Sequence, residues 1–169
     1  MPFWRTYYHL VWATANREAL INSGVEPLLY AYMIKKSAEL RVYVYAINGW
    51  FDHVHLIVSI PPKLSVADVV KNLKGSSSHD INKSGKLDCA FAWQRGYGVF
   101  TLGERQKADA EKYVCNQKIH HEQKTDNAWL ECYSEFDEGP IETGIKLAGV
   151  ATILHEEAAA YKFNEEMPF

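Results

Sequence analysis

Between Arg5 and Thr14, Tyr8, Leu10 and Trp12 alternate with Tyr7, His9 and Val11, the period-two pattern of a strand with one face in a core. Ser23 followed by Glu26 reads as a capping box with Pro27 in the first turn. The helix beyond it, to about Leu40, gathers Leu28, Leu29, Tyr32 and Met33 on one face. Val42 to Ile47 is β-branched and aromatic, a second strand, and Asn48-Gly49 marks the turn of a hairpin into a third. That third strand is Asp52-His-Val-His-Leu-Ile-Val-Ser-Ile60, stopped by Pro61-Pro62. Ser65 with Asp68 opens a helix from Val66 to about Leu73, with a continuation past Gly75 towards Ile81. Ala90 to Leu102 reads as a strand interrupted by Gly96-Tyr-Gly98, and a last core helix runs from about Arg105 to Gln123.

Strand, helix, strand, strand, helix, strand, helix is the order of a split βαβ pair. It predicts an α+β fold: a ferredoxin-like, RRM-like four-stranded antiparallel sheet with two helices on one face, the helix that bears Tyr113 on the other, and a C-terminal helical extension. The first and third strands are then central. Because Val54, Leu56, Val58 and Ile60 need the core, His53 and His55 fall on the opposite face, open to solvent and to the remaining helix. Residues 1–123 form this core. Residues 124–169 form an extension, turn-rich at first, then helical by the spacing of Ile145, Ala148, Ala151, Leu154 and Ala158.

Charge sharpens that division. The net charge of −3 argues at first against a nucleic-acid partner, but residues 1–123 carry 15 Lys+Arg against 11 Asp+Glu and residues 124–169 carry 3 against 10. A mildly basic core permits phosphate binding, and the extension is acidic. No apolar run is long enough to span a bilayer, and the N-terminus lacks a signal peptide's basic start and apolar middle, so a cytoplasmic location is expected. Cys89, Cys115 and Cys132 are odd in number and widely spaced, which fits reduced thiols.

The chemistry sits in two short stretches. Alternation turns His53 and His55 to one face of a strand, and a spacing of four puts Tyr113 and Gln117 on one face of a helix. Brought together they supply two imidazoles, an amide oxygen and a phenol: a divalent-metal site with a nucleophile beside it. Taken singly, each has a plainer reading, as half-exposed sheet residues and an amphipathic-helix tyrosine. Lys71, Lys74, Lys83 and Lys86 surround the second helix and suit phosphate contacts, while Trp93, Tyr97 and Phe100 suit base stacking or core packing. His120 and His121 flank the Gln117 position.

Five blocks in order resemble the HUH single-tyrosine transposases: Tyr8-His-Leu-Val-Trp12, Asp52-His-Val-His-Leu56, Leu73-Lys-Gly-Ser-Ser77, Trp93-Gln-Arg-Gly-Tyr-Gly98, and Tyr113-Val-Cys-Asn-Gln117 with His120-His121. The resemblance implies that His53, His55 and Gln117 hold Mg²⁺ or Mn²⁺ and that Tyr113 is the nucleophile. It implies cleavage and rejoining of single-stranded DNA with hairpin ends, through a 5′-phosphotyrosine, by a homodimer associated with the nucleoid. The acidic extension departs from the more basic character of such proteins.

Two rival classes remain to be weighed. A non-enzymatic binder of the RNA-recognition kind would carry aromatics on the open face, where this chain has His53 and His55; a catalytically silent single-stranded hairpin DNA- or RNA-binding protein on the same fold stays the alternative, although His53, His55, Tyr113 and Gln117 are all present. A histidine-triad hydrolase would need a third alternate histidine, but position 57 is Ile57, and no second His-x-Thr/Ser unit stands out for a two-histidine phosphoesterase.

Overall fold

The structure is a computed structural model that describes residues 3–125 and Asn127. Its elements are β1 (Tyr7–Ala13), a short 3₁₀ turn (Ala15–Arg17), α1 (Glu26–Glu39), β2 (Tyr43–Trp50), β3 (His53–Ser59), α2 (Val66–Ser84), β4 (Gly98–Leu102), α3 (Glu104–Cys115) and α4 (Gln117–Gln123). The four strands form one antiparallel sheet in the order β2-β3-β1-β4, with β3 and β1 central as the split βαβ order requires.

One face of the sheet builds the main core. Leu10 and Trp12 from β1 and Val54, Leu56 and Val58 from β3 meet Leu29 and Met33 of α1 and Val69, Val70, Leu73 and Ile81 of α2. Each such side chain, fully buried, contributes about 1.5–3 kcal/mol. Ser65 caps α2 as its sequence promises, accepting the Asp68 N–H at 3.0 Å, and Gly85 ends it in the left-handed region with φ 66°. At α1 the expected Ser23 box does not form. Asn22 takes over, its Oδ1 accepting from the N–H groups of Gly24 and Val25 at 2.9 and 3.1 Å.

The hairpin turn also lies elsewhere than Asn48-Gly49. β2 runs on to Trp50 and reverses at Phe51-Asp52. The glycine serves close strand approach instead, since a Cβ at Gly49 would collide with the His53 carbonyl and stand 2.9 Å from Val54 Cα. Likewise β4 is shorter than its apolar run. Residues 90–97 are irregular, joined to β1 through a bridge between Thr14 and Trp93, with Gly96 at φ 75°.

The second face is not open. α3 and α4 lie across it, packed on β2 and β3 around Ala46, Ile57 and Val114. His53 and His55, expected at solvent, are 1% and 0% exposed. The single helix expected over 105–123 breaks at Asn116 (φ −95°, ψ 12°), so Tyr113 and Gln117 sit on different helices. Asn48 Nδ2 donates to the Cys115 carbonyl at 3.0 Å, pinning the break to β2. The helix expected in the acidic extension falls outside the described residues. Among the described residues no helix is long and apolar enough to cross a membrane.

Candidate metal and nucleophile site

β3 sets the site. His53 stands opposite Ala13 and His55 opposite Val11 of β1, both rings turned towards α3 and α4. His53 Nδ1 donates to Asp52 Oδ1 at 2.7 Å, and Arg17 Nε donates to Asp52 Oδ2 at 2.8 Å from a left-handed backbone position, φ 53°. Burial raises the Asp52 carboxyl, but the hydrogen bonds and charges of His53 and Arg17 outweigh it and hold the group at about 2. Asp52 thus stays ionised and keeps the proton of His53 on Nδ1, leaving the Nε2 lone pair facing inward.

A chain of nitrogen contacts runs from that lone pair. His53 Nε2 lies 3.1 Å from His121 Nε2, which lies 3.0 Å from the Gln117 amide nitrogen, itself 3.1 Å from His55 Nε2. Trp50 stacks on His121 with centroids 5.2 Å apart and fixes that ring. On the far side of His55, Nδ1 stands 2.8 Å from His9 Nε2. Gln117 is fully buried with these rings.

The donor set fits a divalent cation. The Nε2 atoms of His53, His121 and His55 are linked in series through the Gln117 carboxamide at 3.0–3.1 Å, which gathers imidazole nitrogens and an amide in one cluster. Spacings near 3 Å are also those of adjacent ligands about a cation with bonds of about 2.1 Å. Among the described residues no three His, Cys, Asp or Glu side chains are placed to hold a metal by themselves. A metal here therefore depends on Gln117, whose carboxamide would turn its oxygen inward.

Tyr113, half-buried at the end of α3, presents its ring edge-on to His55 with centroids 6.3 Å apart. His120 stacks on its other side at 4.9 Å, and its hydroxyl accepts the Asn127 N–H at 3.0 Å. Tyr113, His53, His55 and Gln117 are thus brought together within one chain.

The other candidate residues lie apart from this cluster. Lys71, Lys83 and Lys86 are exposed on or just after α2. Lys74 is turned inward, its Nζ donating to the carbonyls of Gln94 and Gly96 at 2.6 and 2.8 Å, and burial pushes it down to about 8. Trp93 packs edge-on against Trp12 and Phe91 and donates to Ser77 Oγ at 3.0 Å, so its ring is largely a core element. Tyr97 shares a shallow cavity of about 290 Å³ with Lys71 and Lys74. Phe100 lies beside His9, with centroids 5.8 Å apart.

Sequence reasoning missed Arg17, Asp52 and His9 behind the histidines and understated His121. For His9 a signal existed: it shares the parity of Tyr7 and Val11, opposite to the core-facing Leu10 and Trp12. For Arg17 none did, since its role depends on the left-handed turn after β1.

Comparison with known proteins adds an independent line. A family model described as "Transposase IS200 like" matches residues 2–117, a span ending on Gln117. The ISDra2 transposase TnpA of Deinococcus radiodurans is 29% identical over 115 residues, 65% of this chain and 82% of that protein. The transposase for insertion sequence element IS200 of Salmonella typhimurium is 30% identical over 120 residues, 68% of this chain and 78% of that one. A crystallised Deinococcus radiodurans protein described as a candidate transposase is similar at 26% identity and a TM-score of 0.56, over 69% of this chain and 95% of its own. A REP-associated tyrosine transposase bound to a REP hairpin shares the fold at 15% identity and a TM-score of 0.55, over 72% of this chain and 74% of its own.

Proposed function

The chain belongs to the IS200-like transposase family, and from that premise we propose that it cuts and rejoins single-stranded DNA through Tyr113, with a divalent cation held by His53, His55 and Gln117. The observation that carries this reading is the convergence of two imidazole Nε2 atoms and a carboxamide in one buried cluster beside a tyrosine. Mg²⁺ and Mn²⁺ are the cations such a set of neutral nitrogens and an amide oxygen takes when phosphate oxygens complete the shell. When bound, the cation supplies charge neutralisation at the non-bridging oxygens of the scissile phosphate.

The remaining chemistry belongs to the chain. Tyr113 Oη attacks phosphorus, and its proton passes by way of solvent to the departing 3′ oxygen. The bond to the 3′ oxygen breaks, leaving a free 3′-hydroxyl and a 5′-phosphotyrosine. Attack by a 3′-hydroxyl on that phosphotyrosine reverses the step and returns the phenol, so no nucleotide energy source is consumed. Asp52 and Arg17 hold His53 in its metal-binding tautomer throughout. Hairpin-ended single strands are the substrate of this proposal, in line with the REP hairpin bound by the REP-associated relative, and a homodimer is its proposed assembly.

The test is cleavage of end-labelled hairpin oligonucleotides drawn from the DNA flanking the gene, as single strands and as duplexes. The proposal expects Mn²⁺- or Mg²⁺-dependent cleavage of single strands alone, lost with chelator and in His55→Ala. Cleavage that persists in chelator would refute the metal site.

A further inference from the structure

His9 is 1% exposed on the central strand β1, where burying a titratable ring costs free energy unless both ring nitrogens are satisfied. It stands opposite Phe100 of β4 and Ile57 of β3, so His55 is its diagonal neighbour on the same face. The two rings stack at 5.0 Å with planes 28° apart, and His9 Nε2 lies 2.8 Å from His55 Nδ1. Two imidazole nitrogens at that separation share one proton, and its owner decides what His55 can do. If His55 Nδ1 donates, its Nε2 carries a lone pair towards Gln117. If His9 Nε2 donates, the proton of His55 sits on Nε2 and blocks any ligation there.

The Gln117 amide nitrogen, 3.1 Å from His55 Nε2, meets a lone pair there in the first arrangement. We propose that His9 is a positioning residue that accepts the Nδ1 proton of His55 and so holds His55 in the tautomer able to bind a metal. The inference rests on the metal-site reading above and extends it to a residue beyond the ligand set. His9 then does for His55 what Asp52 does for His53, but as a neutral acceptor in place of an ionised one. Both lone pairs are thereby aimed at the same place before any cation arrives.

Two measurements on the full chain test this. Side-chain ¹H–¹⁵N correlation spectra of the metal-free wild type should show His55 protonated at Nδ1; an Nε2-protonated His55 overturns the proposal outright. Mn²⁺ titration followed by electron paramagnetic resonance then compares wild type, His9→Leu and His9→Gln, with backbone amide spectra confirming the fold. His9→Leu should bind Mn²⁺ about 10–100-fold more weakly. His9→Gln, whose side-chain oxygen can accept the same proton, should recover most of that loss. Wild-type affinity in a folded His9→Leu would also overturn it. If wild type itself takes up no Mn²⁺, the metal reading fails by itself, and the tautomer of His55 still decides the role of His9.

Discussion

Replacing Asp52 by Asn tests the anchoring of His53 without changing side-chain shape. The carboxyl is held at about 2 in the fold against an ordinary 3.8, which at about 1.36 kcal/mol per pH unit corresponds to about 2.4 kcal/mol of stabilisation. The side chain is 20% exposed, so solvent screening reduces this to about 1–2 kcal/mol. A folded-state value below the unfolded one means that the contribution is present above about pH 4 and is lost as pH falls towards 2. Urea unfolding of wild type and Asp52→Asn at pH 5 should differ by about 1–2 kcal/mol, and by about half as much at pH 3. Other carboxylates titrate in both proteins and cancel in the difference. A penalty equal at the two pH values, or larger at pH 3, would refute the assignment of Asp52 as the ionised anchor between Arg17 and His53.

Gly49→Ala should destabilise by about 1–3 kcal/mol, read by urea or thermal unfolding, because its methyl would meet the His53 carbonyl and push β2 from β3. Lys74→Met should cost about 1–2 kcal/mol in the same assay and raise hydrogen exchange across residues 94–96, since it removes both carbonyl clamps. Val114→Ala should cost about 1–2.5 kcal/mol, and protection should fall more in α3 and α4 than in α1 and α2, because Val114 belongs to the small cluster under α3.

Where local chemistry decides, the sequence is a good guide. Ser65 and Asp68, Pro61-Pro62 and the alternation through β1 and β3 act within a few residues, and each led to the observed element. The two histidines were placeable for the same reason, since strand parity is independent of tertiary context. Asn48-Gly49 misled because a turn and a close strand contact both demand a glycine, and only the pairing with His53 and Val54 separates them. The break at Asn116 was equally illegible. Nothing in Tyr113 to Gln123 forbids one helix, and the restraint on Cys115 comes from Asn48, 67 residues earlier. That break carries Gln117 and His121 over the sheet, which is why His121 reaches His53 although its spacing places it only at the flank of the site. Burial of the histidines follows from the same packing and could not be read from β3 alone.

In the proposed reaction Tyr113 becomes covalently bonded to the 5′ phosphate of a cleaved single strand. The direct measurement is peptide mass spectrometry on the protein after incubation with hairpin single strands and Mn²⁺, with chelator and Tyr113→Phe as controls. A denaturant-stable adduct is expected on the peptide containing Tyr113, absent in both controls. Cleavage that continues undiminished in Tyr113→Phe, or tight DNA binding with no adduct under any metal, would contradict it.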